Sequence, residues 1–297
     1  MKDNLRGSLL MIAAMFAFAI EDMYIKLLSG ALPVGQILIC LGAGGGLVFA
    51  LIAWRRGERL SDPALRTRAV ILRNLCEAFG TIGFVTALAL SPISTASAIL
   101  QATPLFVTLG AALMFGEAVG WRRWTAIAAG FCGVMLVIRP GTEGFNPYAL
   151  FAVMAVFGLG ARDLFTRLVP PSVSSVQIST LAFATLVPTG LVLLAIEGRG
   201  MVWPGGLDQW RLFACIAVGV VAYYLIVAAT RVGDISLVTP FRYTRIVFAL
   251  GVGYLAFDER PDALTLLGAV IIVASGVYTL LREARMRRAS QRFNPTI

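Results

Sequence analysis

Ten stretches of predominantly apolar residues run along the chain, at 8–28, 33–54, 69–90, 92–115, 121–139, 147–168, 173–196, 209–230, 235–257 and 262–281. A helix of about 20 residues, rising about 1.5 Å per residue, crosses roughly 30 Å of hydrocarbon. Inside lipid the backbone must satisfy its own hydrogen bonds, so runs of this length specify a helical bundle. Composition points the same way, with 58% of 297 residues hydrophobic and only 14% charged. Soluble domains carry about 25% charged residues, and no soluble fold of this size has the polar surface to cover such a chain. The expectation is an all-α integral membrane protein with ten transmembrane helices. The first run is too long, and too interrupted by Glu21 and Asp22, for a cleaved signal peptide.

Several function classes fall away. There is no histidine, which removes His-based acid–base catalysis, Ser-His-Asp triads and His-ligated metals. Cys40, Cys76, Cys132 and Cys215 lie far apart without a CxxC pair, so buried free thiols are expected rather than a zinc or disulfide framework. The net charge of +9 could suggest nucleic acid, but most of the basic residues sit in loops.

Those loops set the topology. Lys2, Arg6, Arg55, Arg56, Arg59, Arg66, Arg68, Arg122, Arg123, Arg167, Arg231 and the tail Arg282, Arg285, Arg287, Arg288 and Arg292 fall on one side, sixteen in all. Five fall on the other: Lys26, Arg139, Arg199, Arg211 and Arg260. The positive-inside rule puts the first side, and both termini, in the cytoplasm. The basic tail then fixes orientation and meets anionic headgroups.

The chain repeats itself. At an offset of 141, Phe16 meets Phe157, Asp22 meets Asp163, Leu27 meets Leu168 and Gln36 meets Gln177. At an offset of 142, Ile93 meets Ile235, Ser94 meets Ser236, Leu113 meets Leu255, Phe115 meets Phe257 and Glu117 meets Glu259. Two five-helix halves result, 1–142 and 143–297. Five is odd, so the second half enters from the opposite face and the repeats are inverted. Inverted repeats characterise alternating-access secondary transporters, which hold substrate near the midplane between the halves. Some channels share the device, but no filter-like segment is visible here.

Eight charges lie well inside the runs: Glu21, Asp22, Arg73, Glu77, Arg162, Asp163, Arg242 and Arg245. They sum to zero. Each costs about 2.5–3.5 kcal/mol at a lipid-facing helix centre, so each needs a partner or a wet cavity. Arg73 and Glu77 share a helix face and can pair locally; Arg162 and Asp163 are adjacent and are expected either to form a self-contained pair or to face the site. Arg242 and Arg245 also share a face, and two like charges there call for carboxylates from another helix or an anionic ligand. Glu21, Asp22 and Asp163 then balance charge and are candidates for a coupling ion. Pro104 and Pro240, in equivalent runs of the two halves, should kink their helices and free carbonyls along a cavity. Around them Gln101, Thr103, Thr239 and Tyr243, with Asn74, Phe79, Tyr223 and Tyr224, form an expected amphipathic wall. Glu117 and Glu259 close their runs and suit capping roles. Gly42–Gly46 has no following Lys-Ser or Lys-Thr, so it serves close helix packing rather than phosphate binding.

With ten runs, two inverted halves and these residues, the chain resembles the drug/metabolite transporter superfamily, specifically its EamA type. The resemblance covers nearly all of the chain. It is carried by Ala87 to Ala96 running into Thr103-Pro104-Leu105-Phe106, then Gly116-Glu117, Trp121-Arg122-Arg123-Trp124, Gly130 to Val134 and Ile138-Arg139-Pro140-Gly141. In the second half Pro240-Phe241-Arg242-Tyr243 and Asp258-Glu259-Arg260-Pro261 carry it. The first of these, with Gly144-Phe145-Asn146-Pro147, is similar to members that take up S-adenosylmethionine, and riboflavin uptake members are similar too. Where that subgroup has Asn or Ser before the Asp of the first run, this chain has Glu21. The resemblance implies an inner-membrane carrier with no organic cofactor and no metal, not an enzyme, working on a small-molecule substrate among membrane lipids without nucleic acid. A homodimer is left open.

The combined expectation is a secondary transporter of a small polar metabolite, with uptake favoured by the subgroup resemblance and export of amino acids or related metabolites as the alternative. From other classes, a non-transporting receptor would bind without accumulation, and an intramembrane enzyme would need a reactive cluster that scattered carboxylates without His do not make. Reporter fusions test the topology: green fluorescent protein fused after Ile297 should fluoresce in a bacterial host, and alkaline phosphatase fused there should stay inactive. The reverse pattern would invert the chain in the membrane.

Overall fold

A computed structural model describes residues 2–116, 120–232 and 235–293. Side chains are described for 3–116, 120–230, 232 and 237–282. Glu117 and the tail arginines beyond Arg282 therefore lie outside the described side chains.

Every regular element among the described residues is helical. The first half contains α1 (Lys2–Ser29), α2 (Val34–Arg55), α3 (Arg68–Leu90), α4 (Ile93–Leu100), α5 (Thr103–Phe115) and α6 (Trp121–Ile138). The second contains α7 (Ala149–Thr166), α8 (Ser175–Glu197), α9 (Gly206–Val232), α10 (Ile235–Val238), α11 (Thr244–Phe257) and α12 (Ala263–Phe293). These occupy the ten apolar runs, because α4 and α5 share the fourth run and α10 and α11 share the ninth. Among the described residues eight segments are long and apolar enough to cross a membrane, α4 and α5 counting as one. The other two have visible reasons for falling short: α6 opens on Trp121-Arg122-Arg123-Trp124, and a 3-10 turn at Thr239–Tyr243 separates α10 from α11.

The main helix contacts join one half to the other. Helix α2 packs on α8, α3 on α7, α1 on α9 and α6 on α12. An axis exchanging the halves maps the first and last of these pairs onto themselves and swaps the middle two. Three of the four contacts close on paired glycines, Gly35 with Gly190, Gly80 with Gly158 and Gly133 with Gly268. A Cβ on either member of a pair would run into the partner's backbone, which is how small residues let membrane helices approach. Within the Gly-rich run of α2, Gly42 and Gly45 take Phe183 of α8 in the same way.

The loops repeat the relation at opposite ends. Gln36 at the start of α2 donates to the Val202 carbonyl at 2.7 Å and accepts from the Val202 amide at 2.8 Å. Its counterpart Gln177 at the start of α8 donates to the Arg59 carbonyl at 2.8 Å, and Ser174 bonds Glu58 beside it. Each glutamine thus pins a loop belonging to the other half.

The end of the bundle opposite the N-terminus holds a polar knot. Glu259 accepts from the Ile93 and Ser94 amides and the Ser94 hydroxyl, at 2.7, 3.0 and 2.7 Å. A carboxylate there satisfies the open amides of α4 and meets the positive end of its dipole. Lys26 lies 3.6 Å from the same carboxylate and donates to the Ser91 carbonyl at 2.5 Å. Nearby, Arg139 bonds Asp262 and Thr265, and its guanidinium, with the Thr265 amide, holds the Asp262 carboxyl below the usual carboxylate range.

All four cysteines are free, but only Cys215 is buried. Cys132 is exposed on α6, which corrects the expectation of four buried thiols: its helix position points it outward, and sequence hydropathy does not distinguish that face. Replacing Gly158 by Val should force α7 off α3, an overpacking cost of about 1–3 kcal/mol. The check is the unfolding midpoint of the detergent-solubilised protein, which should fall well below that of the parent chain.

Candidate functional site

The site begins where two spans break. Helix α4 ends at Leu100 and α5 restarts at Thr103, with Pro104 in its first turn, where a missing amide costs nothing. In the other half α10 ends at Val238 and Pro240 opens the 3-10 turn before α11. Both prolines therefore start new segments rather than kinking continuous helices. The breaks meet, because the Gln101 amide donates to the Arg242 carbonyl at 3.3 Å. Irregular backbone at membrane depth thereby finds a partner in protein.

The intramembrane charges form a belt around this point. Arg245, at the start of α11, grips Asp22 of α1 through both carboxylate oxygens, at 2.6 and 2.8 Å from one nitrogen and 3.2 Å from Nε. The rings of Phe18 and Phe84 lie 5.1 Å from its guanidinium. Asp22 is only 2% exposed, so this pair is sealed between aromatic walls. On the other side of the belt Glu77 of α3 forms an ion pair with Arg73 at 2.6 Å and accepts from Arg162 of α7 at 2.9 Å. Arg162 also chelates Asp163 at 2.8 and 3.0 Å. Arg162 and Asp163 are thus not a self-contained pair: they are joined across helices to Glu77.

Arg242 sits at the break, where its carbonyl accepts from Gln101. It makes no ion pair among the described residues, although its field reaches Asp163. Glu21 likewise has no ion pair among them, and its carboxylate rests against Gly219 of α9. The Asp163 and Arg162 side chains keep 27% and 18% of their accessibility, although α3, α4 and α5 all pack on α7.

The remaining expected residues divide. Asn74 accepts from Arg73 at 2.8 Å, so it supports the belt. Tyr223 stacks edge-on against Phe49 and Phe183 at 5.7 and 5.4 Å. Thr103 back-bonds to Leu100 across the break. Tyr243 does not join the wall: its ring is buried and its hydroxyl lies against Gly276 of α12. Phe79 is 51% exposed on the same α3 face as Leu72 and Leu75, and Tyr224 is 57% exposed beside Val221, so both belong to outward apolar faces. Lys26 reads from sequence as a loop residue near the end of a run, yet it is bound into the knot at the end of the bundle. Its reach to carbonyls on another span left no sequence signal.

Helices filling ten apolar runs in two repeated halves, eight of the spans long and apolar enough among the described residues to cross a membrane, with charges paired between the halves, have the architecture of a multi-pass membrane transporter. Residues 5–139 and 146–281 each match the EamA-like transporter family, and the chain belongs to that family. It is 29% identical over 215 residues to an S-adenosylmethionine uptake transporter of Rickettsia felis, covering 72% of each chain. It is 30% identical to a riboflavin transporter of Vibrio cholerae, covering 96% of each. A pseudopaline exporter of Pseudomonas aeruginosa is 29% identical over 91% of this chain and 94% of its own. A solved crystal structure superposes with a TM-score of 0.59 at 20% identity, covering 92% of this chain and 98% of that one, a likeness that shows the fold alone.

Removing one member of a sealed ion pair strands the other, at about 3–5 kcal/mol. Arg245→Ala should therefore lower the unfolding midpoint sharply, and adding Asp22→Asn should restore much of it. Full stability of the single variant would show that the pair does not hold α1 to α11.

Proposed function

We propose that the chain moves a small polar metabolite with an anionic group across the bacterial inner membrane, by rocking of residues 1–142 against 143–297. Both termini lie in the cytoplasm in this reading. Substrate sits between the halves at the broken spans, and its anionic group is received by Arg242. The observation that carries the proposal is this arginine, held at the break by Gln101, near part-exposed Asp163 and without an ion pair among the described residues. Arg245, fully engaged by Asp22, acts instead as a pivot between α1 and α11. Gln101 holds the Arg242 backbone in place, Asn74 steadies the Arg73–Glu77–Arg162 side of the belt, and Tyr223, packed on Phe49 and Phe183, offers the substrate an aromatic wall.

Uptake of S-adenosylmethionine or riboflavin is supported by the relatives that carry those names. Export is a second reading, supported by the pseudopaline exporter, whose match covers more of this chain than the S-adenosylmethionine carrier does.

Proteoliposomes containing the purified protein should accumulate one of these compounds. Arg242→Ala should lower the initial rate tenfold or more, since a charge-assisted hydrogen bond contributes about 1.5–3 kcal/mol. An unchanged rate at equal incorporation would remove Arg242 from the site, and stoichiometric binding without accumulation would point to a receptor.

A further inference from the structure

The belt has two open charges of opposite sign. Asp22 is saturated by Arg245. Glu77 and Asp163 share Arg73 and Arg162. Of the eight groups, Glu21 and Arg242 remain without an ion pair among the described residues. They flank one element, the Asp22–Arg245 pair: Glu21 precedes Asp22 on α1, and Arg242 lies about one helical turn before Arg245.

The repeat sharpens the meaning of Glu21. At the offset of 141 it corresponds to Arg162, just as Asp22 corresponds to Asp163. In the second half the helix packed on α7 is α3, and it answers Arg162 with Glu77 at 2.9 Å. In the first half the helix packed on α1 is α9, and at the offset of 142 the counterpart of Glu77 is Gly219. A Cβ at 219 would collide with the Glu21 carboxylate. The position that would supply a counter-charge by symmetry thus supplies a seat with no side chain at all. An unpaired carboxylate at this depth is costly unless it takes up a proton or something cationic completes it.

We propose that the substrate carries a cationic centre as well as a carboxylate, and that Glu21, seated on Gly219, receives the cation while Arg242 receives the carboxylate. The proposal rests on the transporter reading and on Arg242 as the anion subsite. It favours molecules of the S-adenosylmethionine kind, with ammonium, sulfonium and carboxylate groups, over an uncharged ligand such as riboflavin.

Uptake into proteoliposomes tests it with matched compounds. S-adenosylmethionine is compared with its decarboxylated form, methionine with 4-methylthiobutanoate, which lacks the amine, and riboflavin serves as the uncharged member. The parent protein should carry a compound with both charges and lose at least tenfold when the amine is absent. Glu21→Gln should lose tenfold on the zwitterion and become nearly indifferent to the amine. Gly219→Ala, which keeps every charge but crowds the carboxylate, should show the same selective loss, and circular dichroism and unfolding midpoints report whether either variant folds. Equal transport of amine-bearing and amine-free compounds, preferential transport of riboflavin, or a Glu21→Gln variant that loses only its response to a pH gradient would overturn the proposal, the last by making Glu21 a proton site. In each of those outcomes the transporter reading survives. Absence of transport for every compound would instead sink the reading on which the proposal rests, and the proposal with it.

Discussion

An ionised side chain within hydrocarbon must find a partner, and in this chain two of the pairings join different helices. Asp22 and Arg245 bind α1 to α11, and Glu77 and Arg162 bind α3 to α7. Both bonds cross from one half to the other. Removing either partner would strand a charge, whereas the glycine contacts along α2–α8 and α6–α12 are dispersion contacts that permit close approach but impose no register by charge. The ion pairs therefore decide which residues face each other at mid-depth, and the glycines decide how closely the backbones approach.

This division suits relative motion of the halves. Pairs such as Asp22–Arg245 sit near the centre, where a rocking motion displaces atoms least. The polar contacts at the ends, Lys26 with Glu259 and Ser174 with Glu58, sit where displacement is largest and where water is available to replace a broken bond. A broken helix contributes at the same level. Because α4 and α5, and α10 and α11, are separate segments joined through the Gln101–Arg242 contact, the two parts of each span can tilt without dismantling a continuous backbone ladder.

How much of this was legible in the sequence follows from the range of each interaction. Span limits are local: the runs at 33–54 and 69–90 lie within a residue or so of Val34–Arg55 and Arg68–Leu90, because length and hydropathy determine them. Arg73 with Glu77 was also legible, being one turn apart on one helix. Arg242 and Arg245 shared a face on paper, yet one is consumed by Asp22 and the other is not, since the 3-10 turn ends between them and the partner lies 223 residues away. The same limit hid the link from Arg162 to Glu77 and misplaced Phe79, Tyr224 and Tyr243, whose outward or inter-helix positions depend on which neighbour covers them. Gln36 and Gln177 were visible as a repeat, but their task of pinning the opposite half's loop required the fold.

A twofold architecture poses a problem for binding, because a symmetric site offers the same chemistry from both sides while a metabolite presents different ends. Here symmetry is kept where it serves construction, in Gln36 and Gln177 and in the exchanged contacts α1–α9 and α7–α3. It is broken at mid-depth. Glu21 stands opposite Gly219 where Arg162 stands opposite Glu77, and Gln101 occupies the place that Tyr243 takes in the other half. These substitutions alter charge and hydrogen bonding without altering the helix framework, since each falls at a break or against a small residue. A duplicated scaffold can in this way acquire a polar direction at its centre while the halves continue to pack by the rules that first paired them.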